Sequence, residues 1–304
     1  MVAMPTPGQF AQHVYNTFTK RWQPRQDHDD YGPELRHAIK EIESSYGVKV
    51  KLKNKTLHKF GRTTNADDGV KTTIATFQDN LASETYATGN TVDSISSSST
   101  SDTGPVRLEG HYLDGQGRRI FHVQWPVLEG RSEVTLAQPL FRSTRIRREQ
   151  DPNASPQIVL DDLVGNVYVY DSSVATTPSM GVPDDATATK VMISAGQQQS
   201  EKAATSLSYL DFWIVSDIHA FFDRTTGQGV TAAIEVEYRE LNGVFTPLGL
   251  EMQLRSETLE SDTDRPKTPY IIPPSSDVIL VGTSDTANTI IGGYIHGVLA
   301  TIQE

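Results

Sequence analysis

Apolar and polar residues alternate with a period of two along much of the chain after residue 106. Val230, Ala232, Ile234, Val236 and Tyr238 fall on one side of such a stretch, and Thr231, Ala233, Glu235, Glu237 and Arg239 on the other. That pattern predicts a half-buried antiparallel strand. Asn242-Gly243 comes next, a dipeptide that favours a tight hairpin, and leads into Val244–Leu254. Val106–Leu113 and Arg118–Val127 likewise flank the glycine-bearing turn Asp114-Gly115-Gln116-Gly117. Further strands are predicted at Glu133–Leu136, Thr144–Arg147, Gln157–Leu160, Val167–Tyr170, Val191–Ser194, Leu207–Ser216, Val278–Val281 and Ile290–Ile302. Many short strands with turn signals and no alternating helices predict antiparallel sandwiches or barrels.

The first 50 residues read differently. Phe10, Val14, Phe18 and Trp22 recur every four positions, which predicts one face of a helix. A second helix is marked by Pro33 in the first turn, by Leu35, Ala38, Ile39, Ile42 and Tyr46, and by Gly47 as its stop. Val48, Val50 and Leu52 then alternate with Lys49, Lys51 and Lys53 as a short strand. The polar run Ser94 to Ser101 predicts a flexible loop or linker, and the Thr-, Ser- and Pro-rich segment Ser172 to Ala188 predicts a module boundary. The expected fold class is therefore mainly β: two antiparallel β-sandwich-like modules, 63–186 and 187–304, behind a helical docking arm at 1–62. The stripes of the arm bury either on the chain's own body or on a neighbour. The residues expected at an interface are Phe10, Val14, Phe18, Trp22, Leu35, Ile39 and Ile42.

Charge supports an arm distinct from the body. Residues 1–62 hold 11 Lys/Arg and 6 Asp/Glu, and the remainder holds 16 and 32. A basic arm suits docking onto an acidic surface. The overall charge of -11 argues against a nucleic-acid partner. The 304 residues are 37% hydrophobic and 21% charged, a globular composition too apolar for a disordered chain. No apolar run approaches the roughly 20 residues of a membrane helix, so no membrane partner is expected. The opening MVAMPTPGQF lacks a basic start followed by an apolar stretch, so no secretory signal is expected. With no cysteine, disulfides, thiolate metal sites and cysteine nucleophiles are excluded.

One stretch imitates a catalytic motif. Phe212 to Arg224 runs an apolar strand into Ser-Asp-Ile-His, as the first metal motif of calcineurin-like metallophosphoesterases does. A two-metal site needs several more convergent ligands. Here Asp217 and His219 lie in the last third of the chain, only His296 follows among histidines, and neither Gly-Asp-x-x-Asp nor Gly-Asn-His occurs. Asp217 and His219 are therefore expected at a strand end or on an exposed face, with Phe212, Ile214 and Ile218 packed inward. Asp27-His28-Asp29-Asp30 precedes a helix start, where acidic groups favour the positive helix end. Asp262-Thr263-Asp264 begins like a calcium loop but no glutamate completes it. Arg142, Arg145, Arg147 and Arg148 form a local basic strand that predicts a rim of salt bridges in an acidic body, with a subunit contact as the second reading. No catalytic, cofactor or metal residue is assigned. A second reading is a glycan-binding adhesin or tail-fibre head, with Trp125, Tyr209, Trp213, Phe221 and Phe222 as a stacking platform.

Two stretches together resemble a family of virion structural proteins of tailed bacteriophages, common in phages of marine bacteria. The first runs from Ser94-Ile95-Ser96 through Asp102-Thr103-Gly104, Val106-Arg107-Leu108-Glu109-Gly110 and Asp114-Gly115-Gln116-Gly117 to Val134-Thr135-Leu136 and Arg145-Ile146. The second takes in Val167 to Asp171, Thr205 to Asp211, Val236 to Arg239, Asn242-Gly243-Val244-Phe245, Pro273-Pro274 and Ser276-Asp277-Val278. The resemblance spans roughly residues 58–302; the short Asp102-Thr103-Gly104 lead and the helical extension depart from the commoner pattern. It implies a β-sandwich head, neck or tail accessory protein of the virion, with no catalytic residues and no cofactor. The implied partners are capsid, portal, neck or tail subunits; the acidic strand-rich body and helical arm by themselves predict a point group or ring of further copies of the chain.

Overall fold

The computed structural model describes residues 13–16, 21–24 and 32–303, apart from 67–68, 76–85, 158–159, 176, 223–228, 241–242, 256–260, 265–267 and 288. The first element is a hairpin where a helix was expected. Strand β1 (His13–Asn16) pairs antiparallel with β2 (Arg21–Pro24). Val14 lies on β1 and Trp22 on β2; Phe10 and Phe18 fall outside the described residues. A spacing of four fits one face of a strand as well as one face of a helix. Branched and aromatic residues such as Val14, Tyr15 and Trp22 favour the strand.

Helix α1 (Pro33–Tyr46) forms as predicted, and Gly47 ends it at a φ of 66°. Its buried residues, Leu35, Ala38, Ile39 and Ile42, pack against Val50 and Leu52 of β3 (Val50–Ala66) and against Phe212, Ile214 and Ala300. Leu35, Ile39 and Ile42 thus belong to this chain's own core, which corrects their expected place at an interface with a neighbour. The neighbouring sheet carries its own apolar stripe on that outer face, and the helix closes over it.

β3 and the short β4 (Thr72–Thr73) belong to a sandwich that is completed only later in the chain. A first sandwich comes between. One of its sheets contains β5 (Val92–Ser97), β10 (Val134–Leu140), β12 (Val167–Asp171) and β13 (Thr189–Ile193), ordered β10-β5-β12-β13. The facing sheet contains β7 (Arg107–Leu113), β8 (Arg119–Gln124) and β11 (Arg142–Arg147), ordered β11-β7-β8. A ribbon of β6 (Thr103–Pro105) and β9 (Val127–Glu129) flanks them. Ile95, Leu108, Leu140, Ile146, Val169 and Ile193 fill the space between.

The second sandwich pairs a sheet of β14 (Ala204–Ser206), β20 (Asp277–Ser284), β16 (Thr231–Arg239) and β17 (Thr246–Arg255) with one of β18 (Ser261–Asp264), β15 (Asp211–Phe222), β21 (Thr289–Ile302) and β3. β4 adds to β20, and β19 (Tyr270–Ile272) to β15. Trp213, Ile218, Ile234, Leu254, Leu280 and Ile295 form its core. The fold is mainly β, as expected, and the strand pairings among the described residues are antiparallel. Sheet membership shifts the expected divisions at 62/63 and 186/187: β3 belongs to the second sandwich and β13 to the first.

Three local expectations are corrected. The serine run is no linker. Ser94, Ser96 and Ser97 are buried in β5, inside the first sheet. Their hydroxyls are bonded, Ser94 to Glu133 at 2.8 Å, Ser96 to the Gly181 carbonyl at 2.9 Å and Ser97 to Asp102 at 2.5 Å. Small side chains let neighbouring loops approach: a Cβ on Gly181 would collide with the Ser97 carbonyl. Segment 172–188 is no module boundary, since it joins β12 to β13, which pair side by side. Gln157 and Leu160 lie outside any strand, beside Pro152 and Pro156, which lack the amide a ladder needs.

Candidate functional site

Asp217 and His219 sit in the middle of β15, not at its end. Asp217 stands opposite His296, and His219 lies between Tyr294 and Thr263. The His219 Nδ1 is 2.6 Å from the Thr263 hydroxyl, and its ring stacks on Tyr294 at 5.0 Å. Among the described residues no three His, Asp or Glu side chains converge as a metal site. Asp262-Thr263-Asp264 is strand β18, not a loop, and residues 27–30 lie outside the described residues. Phe212 and Ile214 pack under α1 on the outer face, while Trp213 and Val215 turn inward. An irregularity between Val215 and Asp217 then keeps Asp217 and His219 on the outer face.

Among the described residues α1 covers only part of this outer face, and the remainder is an array of rings. One row across β15, β21 and β3 reads Asp217, His296, His58; the next reads His219, Tyr294, Phe60; the third reads Phe221, Gly292, Arg62. Tyr294 lies 5.0 Å from both His58 and His219, centroid to centroid. His58 is exposed, and the other rings are half-buried. Partial burial holds all three histidines below their ordinary value; His296 nearby adds to this at His58, and Asp217 opposes it at His296. The face is therefore close to neutral at pH 7, with Asp217 on the β15 side and Arg62 on the β3 side.

Among the described residues the most buried ion cluster lies between the sandwiches. Asp277, at the start of β20, is 0% exposed. Arg119 of β8 reaches its Oδ1 at 2.8 Å, and Arg142 of β11 reaches both oxygens at 3.2 Å. From its own sandwich, Ser206 donates at 2.6 Å and Arg239 at 3.1 Å. Burial alone would push the Asp277 carboxyl up. The charges of Arg142 and Arg119, with the Arg142 and Ser206 hydrogen bonds, outweigh it and hold the group below the usual carboxylate range. Three guanidiniums exceed one carboxylate, and aromatic faces take up part of the excess: Phe141 lies 3.6 Å from the Arg142 Cζ and Tyr86 3.9 Å from the Arg239 Cζ. The Lys59 ammonium adds a further tie from β3 to the Thr144 carbonyl at 2.8 Å. His111, fully buried nearby, is pushed down to about 3, first by burial and then by the Arg119 charge.

Sequence reasoning placed Arg142 in a rim of salt bridges and missed Arg119, Arg239 and Asp277. Arg147 does pair at the surface, with Glu149 at 2.7 Å. The available signal was a carboxylate opening an otherwise apolar strand at Asp277-Val278-Ile279-Leu280. Four of the five aromatics of the glycan reading fall in different places. Trp213 and Phe222 are core, Tyr209 lies under Arg118 at 4.9 Å, and Phe221 belongs to the outer face. A cavity of about 270 Å³ lies on the other sheet of that sandwich, where Lys71 bridges Glu235 and Glu237.

No protein-family model matches the chain, and no curated protein matches it in sequence. Among solved structures it is similar to infectious bursal disease virus, Gt strain (11% identity, 83% of this chain, 71% of that chain, TM-score 0.19). It is also similar to the VP2 subviral particle of that virus (10% identity, 87% and 77%, TM-score 0.19) and to the Gx strain (9% identity, 83% and 78%, TM-score 0.21). These TM-scores fall below what a shared fold requires.

Proposed function

We propose that the chain is a non-enzymatic virion structural protein of a tailed bacteriophage, a capsid decoration or a neck or tail accessory component. The observation that carries this reading is the buried Asp277 junction, which fastens two sandwiches into one body. Such a body suits a component that bears load within a particle better than one that opens around a substrate. The resemblance over residues 58–302 supports the same reading. With α1 closed over its own sheet, the docking segment in this reading is the stretch before α1, including the β1–β2 hairpin. Its partners are other virion proteins, and its location is the particle. Immunogold labelling of purified particles with an antibody to this chain tests the proposal. Label over the whole head assigns it to capsid decoration, and label at one pole to the neck or tail. No label on intact or disrupted particles overturns it.

A further inference from the structure

We propose that the uncovered outer face of the β18-β15-β21-β3 sheet is a homotypic interface, on which two copies pack face to face about a twofold axis parallel to the strands. The strand register carries this assignment. An axis running over β21 exchanges β15 of one copy with β3 of the other, row by row. In the first row the Asp217 carboxylate meets the partner's His58, opposite in charge once the imidazole is protonated and a hydrogen-bond donor when it is not. In the second row His219 meets the partner's Phe60. In the third, Phe221 presents its ring to the partner's Arg62, a cation over an aromatic face. Arg62 keeps its own pairing with Glu201 at 3.7 Å, and its side chain is 42% exposed.

On the axis, Tyr294 and His296 meet their own counterparts, and the missing side chain of Gly292 makes room. A Cβ there would strike the Phe221 ring. A patch that matches itself under a twofold is what an isologous dimer requires, and aligned sheets pack about 10 Å apart on interleaved side chains of this kind. Charge points to the same occupant. Two copies of a chain carrying -11 repel each other over most of their surface. This face is near neutral, and its one carboxylate in these rows comes opposite the partner's His58 rather than another carboxylate. The assignment does not depend on the virion reading, because the purified chain alone tests it.

The test is sedimentation velocity of the full chain over a wide concentration range, beside two sets of variants. The expected result is a reversible dimer that Tyr294→Glu abolishes while circular dichroism stays unchanged. Asp217→Arg is expected to weaken the dimer about tenfold or more, and adding His58→Glu to Asp217→Arg is expected to restore it. If Tyr294→Glu fails to fold, the charge-reversal pair decides, because His58 is exposed and tolerates replacement. A chain that stays monomeric at all concentrations overturns the proposal and leaves the face to a different partner. So does a dimer that Asp217→Arg leaves unchanged, since association then uses another surface.

Discussion

His111 shows how one side chain ties the body to neutral pH. A histidine held at about 3 stays neutral in the folded protein and gains a proton on unfolding at any pH between that value and its ordinary 6.5. Its contribution is therefore complete above pH 6.5 and is lost as pH falls toward 3, by about 1.4 kcal/mol per pH unit. Urea unfolding at a series of pH values should show this acid slope, and His111→Leu should flatten it. Asp277, held below the usual carboxylate range, acts in the same direction at still lower pH. Glycine at position 297 has a separate role: a Cβ there would sit 2.6 Å from the Trp213 indole nitrogen and 2.8 Å from the Val215 Cα. Gly297→Ala is expected to cost about 1–3 kcal/mol, read as a lower urea midpoint at an unchanged slope. Neither role was legible from sequence, because His111 and Gly297 get their significance from strands far away in the chain. The serines of β5 were misread for a related reason. Composition records that serine is small and polar, but not that a carboxylate and a loop carbonyl stand ready to bond it.

Elements were more legible than residues. The period-two pattern at 230–239 and the Asp114–Gly117 turn gave strands and a hairpin nearly where they occur, because half-buried antiparallel strands write their burial directly into alternation. Helix α1 was equally clear from Pro33 and Gly47. What the sequence left open was the surface that its stripe covers. The answer, Phe212 and Ile214 on a strand more than 160 residues away, predicts that the helix is needed for stability. Ile42→Ala is expected to cost about 2–5 kcal/mol. Deletion of residues 1–47 should lower the thermal midpoint and raise binding of a hydrophobic dye. A deletion that melts like the full chain would return α1 to the role of a free arm. The β1–β2 hairpin was missed because a four-residue spacing serves two periods at once.

For the whole molecule, the Asp277 junction predicts cooperativity. Two sandwiches tied by a buried ion cluster should unfold in one calorimetric transition. Asp277→Asn leaves three guanidiniums facing one another without a counter-charge and is expected to destabilise by about 3–5 kcal/mol. It should also split the transition in two, as each sandwich melts on its own core. A single unsplit transition in that variant would mean that other contacts across the junction, such as Lys59 to Thr144, suffice to couple the halves. The overall class was readable in advance because strand density and turn signals dominate the chain. The way the sandwiches interleave was not, since pairing of β3 with β21 joins segments that share no local pattern.

That pairing sets an order of events in time. The first sandwich is built from one continuous stretch, Val92 to Ile193, and can close as soon as that stretch leaves the ribosome. The second cannot. Its edge strand β3 is made early but must wait for β21, more than 220 residues later, before its backbone finds a partner. Throughout that interval an emerging ribbon with alternating lysines at 49, 51 and 53 stays unpaired, and the repulsion of those charges guards it against joining another nascent chain.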